Sequence, residues 1–549
     1  MLRKIFLPVI FALLAYGFWI SSDFKEIAAG VAIFLFGMLS LEEGFKIFTG
    51  GLLEKLLQKT TNRVWKSLAF GVVSTSFMQS SSLVSVITIS FLSAGLIPLL
   101  SGVGIIFGAN LGTTTGAWLL AGFGLKVKIS AYAMPMLVFG VILLFQKAKE
   151  LRGVGYILAG LGFIFLGIHY MKTGFETFAG QIDLTTYAVA GYPGVLLFVA
   201  IGVGATVVMQ SSHATLVLIL TALSAGQLTY ENALAIAVGA NIGTTITAII
   251  GAMSSNVDGR RLAAAHLIFN AVTASIAILL IYQLAHLIDI TSSWLGINRT
   301  DYTLKLAVFH TTFNFLGIIL MLPFLKPMVH FLQRTINPRR GAKASPYYLT
   351  DAALELADTA IEAVRRETLH LYENAFEIIS KGIRLNPADV TSSRPVADVV
   401  LDSTRRSSIS IDEKYEKNIK HLYADIVAFA GKAQSHLTPL QTDELYALRT
   451  AGHDIIEAIK GTKHLQKNLE RFIASDHETI RSEYRKIRIQ IASLLRQLDE
   501  FRTGGEEIVT SVALDSLLSE IHEHKRNSDK RLDRLIRDGS VSATAVTSL

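Results

Sequence analysis

Long apolar runs broken by short polar stretches fill the first 340 residues, and a different rhythm takes over after residue 345. The runs cover about 1–20, 27–48, 67–98, 102–122, 129–146, 153–178, 193–226, 230–252, 262–287 and 304–326. A helix needs about 20 apolar residues to cross a bilayer. Eight runs fit one crossing each. The runs at 67–98 and 193–226 are too long for one crossing and too short for two with a loop, and each holds a polar cluster near its middle. They read as re-entrant helical hairpins, because non-helical backbone at membrane depth survives only when buried in protein or lining a cavity. The runs at 102–122 and 230–252 carry Gly-Ala-Asn clusters and read as broken crossing helices. Arg3-Lys4 before the first run reads as the inner end of a crossing; no clean small-residue cleavage site follows to favour a signal peptide.

The polar clusters are duplicated. Thr75-Ser76-Phe77-Met78-Gln79-Ser80-Ser81-Ser82 returns as Thr206-Val207-Val208-Met209-Gln210-Ser211-Ser212-His213, an offset of 131 residues. Gly108-Ala109-Asn110-Leu111-Gly112-Thr113-Thr114 returns at the same offset as Gly239-Ala240-Asn241-Ile242-Gly243-Thr244-Thr245. Upstream, Gly44-Phe45-Lys46 matches Gly174-Phe175-Glu176 at offset 130. Repeat one spans about 27–147, repeat two about 153–287, and an extra span covers about 304–326. Amides and hydroxyls are costly in apolar surroundings unless they bind something. One serine or threonine in a membrane helix is best explained by a backbone hydrogen bond. A glutamine and an asparagine recurring in register are not explained by packing. Such internal repeats are the mark of a transporter with its site at the repeat interface.

From residue 345 to 549 apolar residues recur at helical spacing in narrow stripes, as at Leu354, Ala357, Ile361, Val364, Leu371, Ala375 and Ile378. Pro395, Pro439 and Gly504-Gly505 punctuate a soluble bundle of about five helices, with a polar tail expected to fray after Lys525. The fold class is therefore all-α: a polytopic membrane domain (1–340) of two inverted repeats, each with a hairpin and a broken helix, followed by a helical bundle (345–549).

Charge supports the division. Residues 1–340 hold 22 Lys+Arg and 12 Asp+Glu, which leaves 51 − 22 = 29 basic and 44 − 12 = 32 acidic residues for 341–549. The net charge of +7 is thus a membrane-loop excess and no nucleic-acid signal. With eight crossings and both hairpins returning to their side of entry, Lys55 through Lys66, Lys147, Lys149, Arg152, Arg260, Arg261 and Lys326 through Arg340 fall inside. Asp183, Asp289, Arg299 and Asp301 fall outside, with Lys126 and Lys128 as the exception. The hairpins then enter from opposite faces, the bundle is cytoplasmic, and the localisation is a bacterial inner membrane. The chain has no cysteine, which excludes disulfides and thiolate chemistry, and no phosphate-binding nucleotide loop or His-x-x-x-His zinc pair. No nucleophile–base pair is visible, so the chain is not expected to be an enzyme.

No acidic residue lies between Glu54 and Glu150 or between Asp183 and Glu231, and both glutamine clusters fall in these gaps. A site without carboxylates suits an anionic substrate. Ser80, Ser81, Ser82, Ser211 and Ser212 can donate to phosphate or sulfate oxygens, and half-helix N-termini add backbone N–H groups. Hydroxyl, amide and carbonyl oxygens are also neutral hard ligands for sodium, and a cation beside an oxyanion lessens the buried charge. His213 replaces the third serine; it is a proton-sensitive group or, more in keeping with base chemistry, a packing histidine. His266-x-x-Phe-Asn270 and His310-x-x-Phe-Asn314 put His and Asn on one helix face and favour interhelical hydrogen bonding over substrate contact. In the bundle, Asp412 and Glu416 favour a solvated face over a metal site.

At these residues the chain resembles the type II sodium-dependent phosphate cotransporter family, over about 27–326. Gln79-Ser80-Ser81-Ser82 matches that family's hairpin motif in full, and Gln210-Ser211-Ser212-His213 departs at the last position. The resemblance implies a sodium site at Gln210, Ser211, Thr244 and Thr247. It implies a weaker set at Gln79, Ser80 and Thr113, where Gly116 stands in place of the fourth ligand. Phosphate is implied between the hairpin tips, at Gln79, Ser80, Ser81, Ser82, Asn110, Ser211, Ser212 and Asn241. The segment 345–549 is similar to a PhoU-type regulatory domain, which implies a cytosolic regulatory partner. The expected function is sodium-coupled transport of inorganic phosphate across the lipid bilayer by alternating access, with Na+ as coupling ion and no organic cofactor. Phosphate export, another oxyanion, or a non-transporting phosphate sensor are the alternatives.

Overall fold

A computed structural model describes residues 2–49, 63–124, 130–179, 185, 189–337, 345–403, 410–434, 437–473, 477–503 and 511–538. Lys55, Lys59, Lys126, Lys128, Asp183, Arg339, Arg340 and Gly504-Gly505 lie outside the described residues. The described secondary structure is helical. The chain divides into two compact units, one of residues 1–338 with 350–362, the other of residues 339–349 with 363–549.

The first unit opens with α1 (Leu2–Ile20) and α2 (Ser22–Thr49), then α3 (Val64–Met78), α4 (Ser81–Ser93), α5 (Leu99–Gly112), α6 (Thr114–Leu119), α7 (Ser130–Leu144) and α8 (Lys149–Ala179). The pattern restarts with α9 (Gly191–Met209), α10 (Ser212–Ser224), α11 (Tyr230–Ala252), α12 (Val257–Leu279) and α13 (Ile281–Trp294), and closes with α14 (Tyr302–Met321) and α15 (Leu325–Thr335). Seven described helices are long and apolar enough to cross a membrane: Ser22–Ile47, Leu99–Gly122, Lys149–Phe178, Gly191–Met209, Tyr230–Ala252, Val257–Leu279 and Tyr302–Thr335. This differs from the eight expected crossings. The apolar parts of α1 and α7, Pro8–Ile20 and Ala131–Leu144, are shorter, and the first arm of the second hairpin is long enough to qualify. Large apolar side chains such as Trp19, Phe77, Phe139 and Leu196 point outward from this unit, as a lipid-facing surface requires.

The duplication extends to backbone contacts. A Cβ added at Gly71 or Gly108 would overlap the carbonyl oxygen of Ile105 or Leu68, and one added at Gly202 or Gly239 would overlap that of Ile236 or Val199. Each residue of the first set is 131 positions from its counterpart. The helices α3 and α5, and again α9 and α11, therefore approach closely enough that only glycine fits at the crossing. Elsewhere glycines at seven-residue spacing on α2 (Gly30, Gly37, Gly44) lie against the backbone of α8 near Gly167, Gly160 and Gly153.

The two crossing helices are not alike. The first is interrupted after Gly112: Thr113 caps it, Gly116 N–H turns back to Thr113 O at 3.3 Å, and a wider turn covers Leu120–Gly124. The expected break in 230–252 does not occur; α11 runs unbroken from Tyr230 to Ala252. One difference in sequence that favours the break is Gly116. Glycine costs a helix interior about 1 kcal/mol relative to alanine, and Gly116 stands where the second copy has Thr247.

Beyond α15 the chain returns to this unit. A short turn at Asp351–Glu355 buries Ala352 and Ala353, and Ser90 Oγ of α4 donates to Thr359 Oγ1 at 3.0 Å.

The described residues of the second unit form five long helical stretches: α16 (Ala357–Gly382, of which residues 357–362 belong to the first unit), Ile411–Ala433, Pro439–Phe472, Glu478–Thr503 and Ser511–Arg537. Their buried stripes include Leu371, Ile378, Ile426, Ile456, Leu469 and Leu495. Arg488, 2% exposed, gives Nε–H to Ile383 O at 2.9 Å and an Nη–H to Ser403 Oγ at 2.6 Å, which caps two helix C-termini with one cation. The tail does not fray after Lys525; helix continues to Arg537. The apolar spacing persists through Leu532 and Leu535, and Arg531 Nε–H bonds Glu483 Oε2 at 2.8 Å. Asp412 pairs with Lys463 and Glu416 with Lys420, as a solvated charged face demands.

Candidate functional site

Both hairpins turn on glutamine. Gln79 ends α3 at φ 52, ψ 21, and Gln210 ends α9 at φ 52, ψ 24. These lie in the left-handed region, which costs a non-glycine residue roughly 1–2 kcal/mol. With Arg384 they are the only described non-glycine residues at positive φ. Backbone strain of this kind persists where surrounding structure enforces it, and it clusters at ligand sites.

A serine follows each glutamine and opens the next helix. Ser80 Oγ accepts from Leu83 N–H at 3.2 Å, and Ser211 Oγ accepts from Ala214 N–H at 3.1 Å. Each is an N-cap, worth about 1 kcal/mol. The first N–H groups of α4 and α10, each a helix of 13 residues, are thereby aimed at the hairpin tips with the positive end of the helix dipole. Ser80 Oγ also lies 3.2 Å from Ser82 Oγ. Ser81, Ser82, Ser211 and Ser212 are partly accessible, so their hydroxyls remain within reach of a small ligand.

The threonines of the crossing helices are committed differently. Thr113 Oγ–H donates to Asn110 O and Thr244 Oγ–H to Asn241 O, both at 2.6 Å; Thr247 Oγ–H donates to Thr244 O at 2.7 Å. A hydroxyl whose proton is held by a backbone carbonyl offers only lone pairs. These oxygens are suited to a cation, while the serines at the tips keep protons for an anion.

Asn110 and Asn241 are buried and braced. Asn110 Nδ2 donates to Asn270 Oδ1 at 3.4 Å, and Asn241 Nδ2 donates to Asn314 Oδ1 at 2.9 Å. Asn270 Nδ2 in turn donates to Asn241 O at 2.9 Å, and Asn314 Nδ2 to His310 O at 2.8 Å. Asn270 and Asn314 thus link α12 and α14 to α5 and α11, as the spacing suggested, and His310 Nε2 lies 3.4 Å from Asn241 Oδ1, whereas neither ring nitrogen of His266 bonds a described residue. This network positions the threonines rather than leaving the asparagine amides open to a ligand.

The two tips converge. A Cβ placed on Gly116 of α6 would overlap His213 Cε1 and lie 2.6 Å from both His213 Nδ1 and Gln79 Oε1. Gln79 Nε2 donates to Ser76 O at 2.5 Å and to Thr115 Oγ1 at 3.1 Å. Thr115 escaped sequence reasoning because its counterpart is Ile246 and no duplication marks it. Gln210 is exposed, and its side chain makes no hydrogen bond to a described residue. No group of three or more His, Asp or Glu able to hold a metal occurs among the described residues. The arrangement offers N–H and hydroxyl donors on one side and proton-committed oxygens on the other, with no carboxylate on α4, α5, α6 or α10.

Comparison with known proteins gives the same region. A family model described as Na+/Pi-cotransporter matches residues 33–173 and 193–321. A protein of Escherichia coli (strain K12), YjbB, provisionally named for inorganic phosphate export, is 27% identical over 384 residues, 68% of each chain. Its namesake in Salmonella typhimurium is 26% identical over 386 residues, again 68% of each. The uncharacterized protein YqeW of Bacillus subtilis (strain 168) is 27% identical over 300 residues, 53% of this chain and 92% of that one. No solved structure matches.

Proposed function

This chain belongs, through residues 33–173 and 193–321, to the Na+/Pi-cotransporter family, and on that premise we propose that it couples sodium to the movement of inorganic phosphate across a bacterial inner membrane. The family is one of transporters, not enzymes. Phosphate sits between the hairpin tips, held by Gln79, Ser80, Ser81, Ser82, Ser211 and Ser212 and by the N-termini of α4 and α10. Sodium sits at Gln210, Ser211, Thr244 and Thr247. The observation that carries this reading is the pair of left-handed glutamines, each followed by an N-capping serine, whose tips meet over Gly116.

The coupling follows from charge. An oxyanion in a low-dielectric pocket without a counter-ion is unfavourable, and each ion raises the other's affinity. Inverted repeats let one packing arrangement open the pocket to either face in turn. The second unit acts as a cytosolic, PhoU-like regulatory bundle. The test is labelled phosphate uptake into proteoliposomes under an imposed sodium gradient. Uptake that requires sodium supports the proposal, and uptake equal in sodium and in choline rejects coupling.

Export is a second reading, favoured by the naming of the E. coli and Salmonella relatives. The same site serves either direction. Net loss of phosphate from loaded vesicles without an inward sodium gradient supports it.

A further inference from the structure

Among the positions at which the two copies of the site depart from each other, two touch in the fold. Gly116 stands 131 residues before Thr247, and His213 stands 131 residues after Ser82. In one copy of the cross-hairpin pair the residues are threonine and serine; in the other they are glycine and histidine. The ring of His213 lies in the volume that a side chain at 116 needs: the added Cβ would overlap Cε1. The ring is seated on Phe34 of α2, with centroids 6.0 Å apart and planes 14° from parallel. Gln79 Oε1, the first-copy carbonyl that faces this point, accepts no hydrogen bond from any described residue.

At the second-copy position the chemistry is different. Thr247 presents an oxygen whose proton is held by Thr244 O. Gly116 offers no side-chain oxygen, and the space is filled by an imidazole. Sodium is a hard cation that prefers several oxygen ligands. Gln79, Ser80 and Thr113 are left with the fourth corner of their set occupied by carbon and nitrogen.

We propose that His213 and Gly116 together form a plug that closes the first-copy cation position, so that this chain carries one sodium, at the second copy. The inference rests on the sodium-coupled reading above and fixes how many cations that reading requires. The glycine and the histidine are a matched pair: the large side chain on one hairpin is admitted because the facing helix has none.

The experiment uses the purified full-length chain and measures sodium-22 bound per chain in detergent, together with the sodium dependence of phosphate uptake in proteoliposomes. The wild type is expected to bind about one sodium per chain with a Hill coefficient of about 1. Gly116→Thr alone clashes with His213 and is expected to lower uptake at least about 10-fold, of the order overpacking causes. The double variant Gly116→Thr/His213→Ser restores the second-copy pattern and is expected to recover folding and bind about two sodium ions, with a Hill coefficient above about 1.5. A wild type that binds two sodium ions overturns the plug, whether or not any variant folds. A folded double variant that still binds one overturns it as well. Failure of the wild type to take up phosphate with sodium instead rejects the coupled function and is read separately.

Discussion

The two hairpins share a backbone and differ in what they tie down. Both reverse at a glutamine with φ 52, both restart on a capping serine, and both cross their partner helix where a glycine admits a carbonyl oxygen. Yet Gln79 is held at Nε2 by Ser76 and Thr115, while Gln210 is exposed and bonded to no described residue. The crossing helix breaks after Gly112 in the first copy and runs through in the second. The duplication preserved the hairpin turns and the glycine crossings; the side-chain partners and the course of the crossing helix are where the copies diverged. A symmetric scaffold can therefore hold two unequal halves of a site.

The largest expected effect tests the shared geometry. Gly108→Ala and Gly239→Ala each place a methyl into a facing carbonyl, and each is expected to cost about 3 kcal/mol or to abolish folding. Thermal melting in detergent checks both. A difference above about 1 kcal/mol between them contradicts equivalent crossings.

The next effect separates the glutamines. Gln79→Ala and Gln210→Ala are both expected to lower phosphate flux about 100-fold, near 2.7 kcal/mol. Only Gln79→Ala should also destabilise the fold, by about 1 kcal/mol for its two hydrogen bonds, and so lower the melting temperature. Equal melting shifts erase the distinction. Full flux in Gln210→Ala removes that residue from the site.

Smaller effects follow at the caps and braces. Ser80→Ala and Ser211→Ala should each cost about 1 kcal/mol as lost N-caps, and circular-dichroism melts compare them. Asn241→Ala should cost more than Asn110→Ala, by about 1 kcal/mol, because its bond to Asn314 is 2.9 Å and that of Asn110 to Asn270 is 3.4 Å. The reverse order makes the first-copy brace the stronger one.

The hairpin tips were legible in the sequence because apolar flanks make a glutamine conspicuous and because it is written twice. Serine caps were legible for the same reason. The bracing by Asn270 and Asn314 followed from helix spacing. What was not legible depends on contact between distant segments. The meeting of Gly116 with His213 joins positions 97 residues apart (213 − 116 = 97), and neither residue alone announces the other. Thr115 is unduplicated and so carried no signal. The unbroken α11 was missed because a shared motif was taken to imply a shared break, although the residue that weakens the helix, Gly116, is absent from the second copy. In the tail, a stripe of leucines hidden among charges continued the last helix to Arg537.

The account stands on an oxyanion and a sodium ion stabilising each other at the hairpin tips. Equilibrium binding of labelled phosphate to the purified chain, in sodium and in choline, tests this most directly. Sodium is expected to tighten phosphate binding about 10-fold, and phosphate to tighten sodium binding by the same factor, since linkage is reciprocal. A phosphate affinity that is the same in sodium and in choline contradicts it.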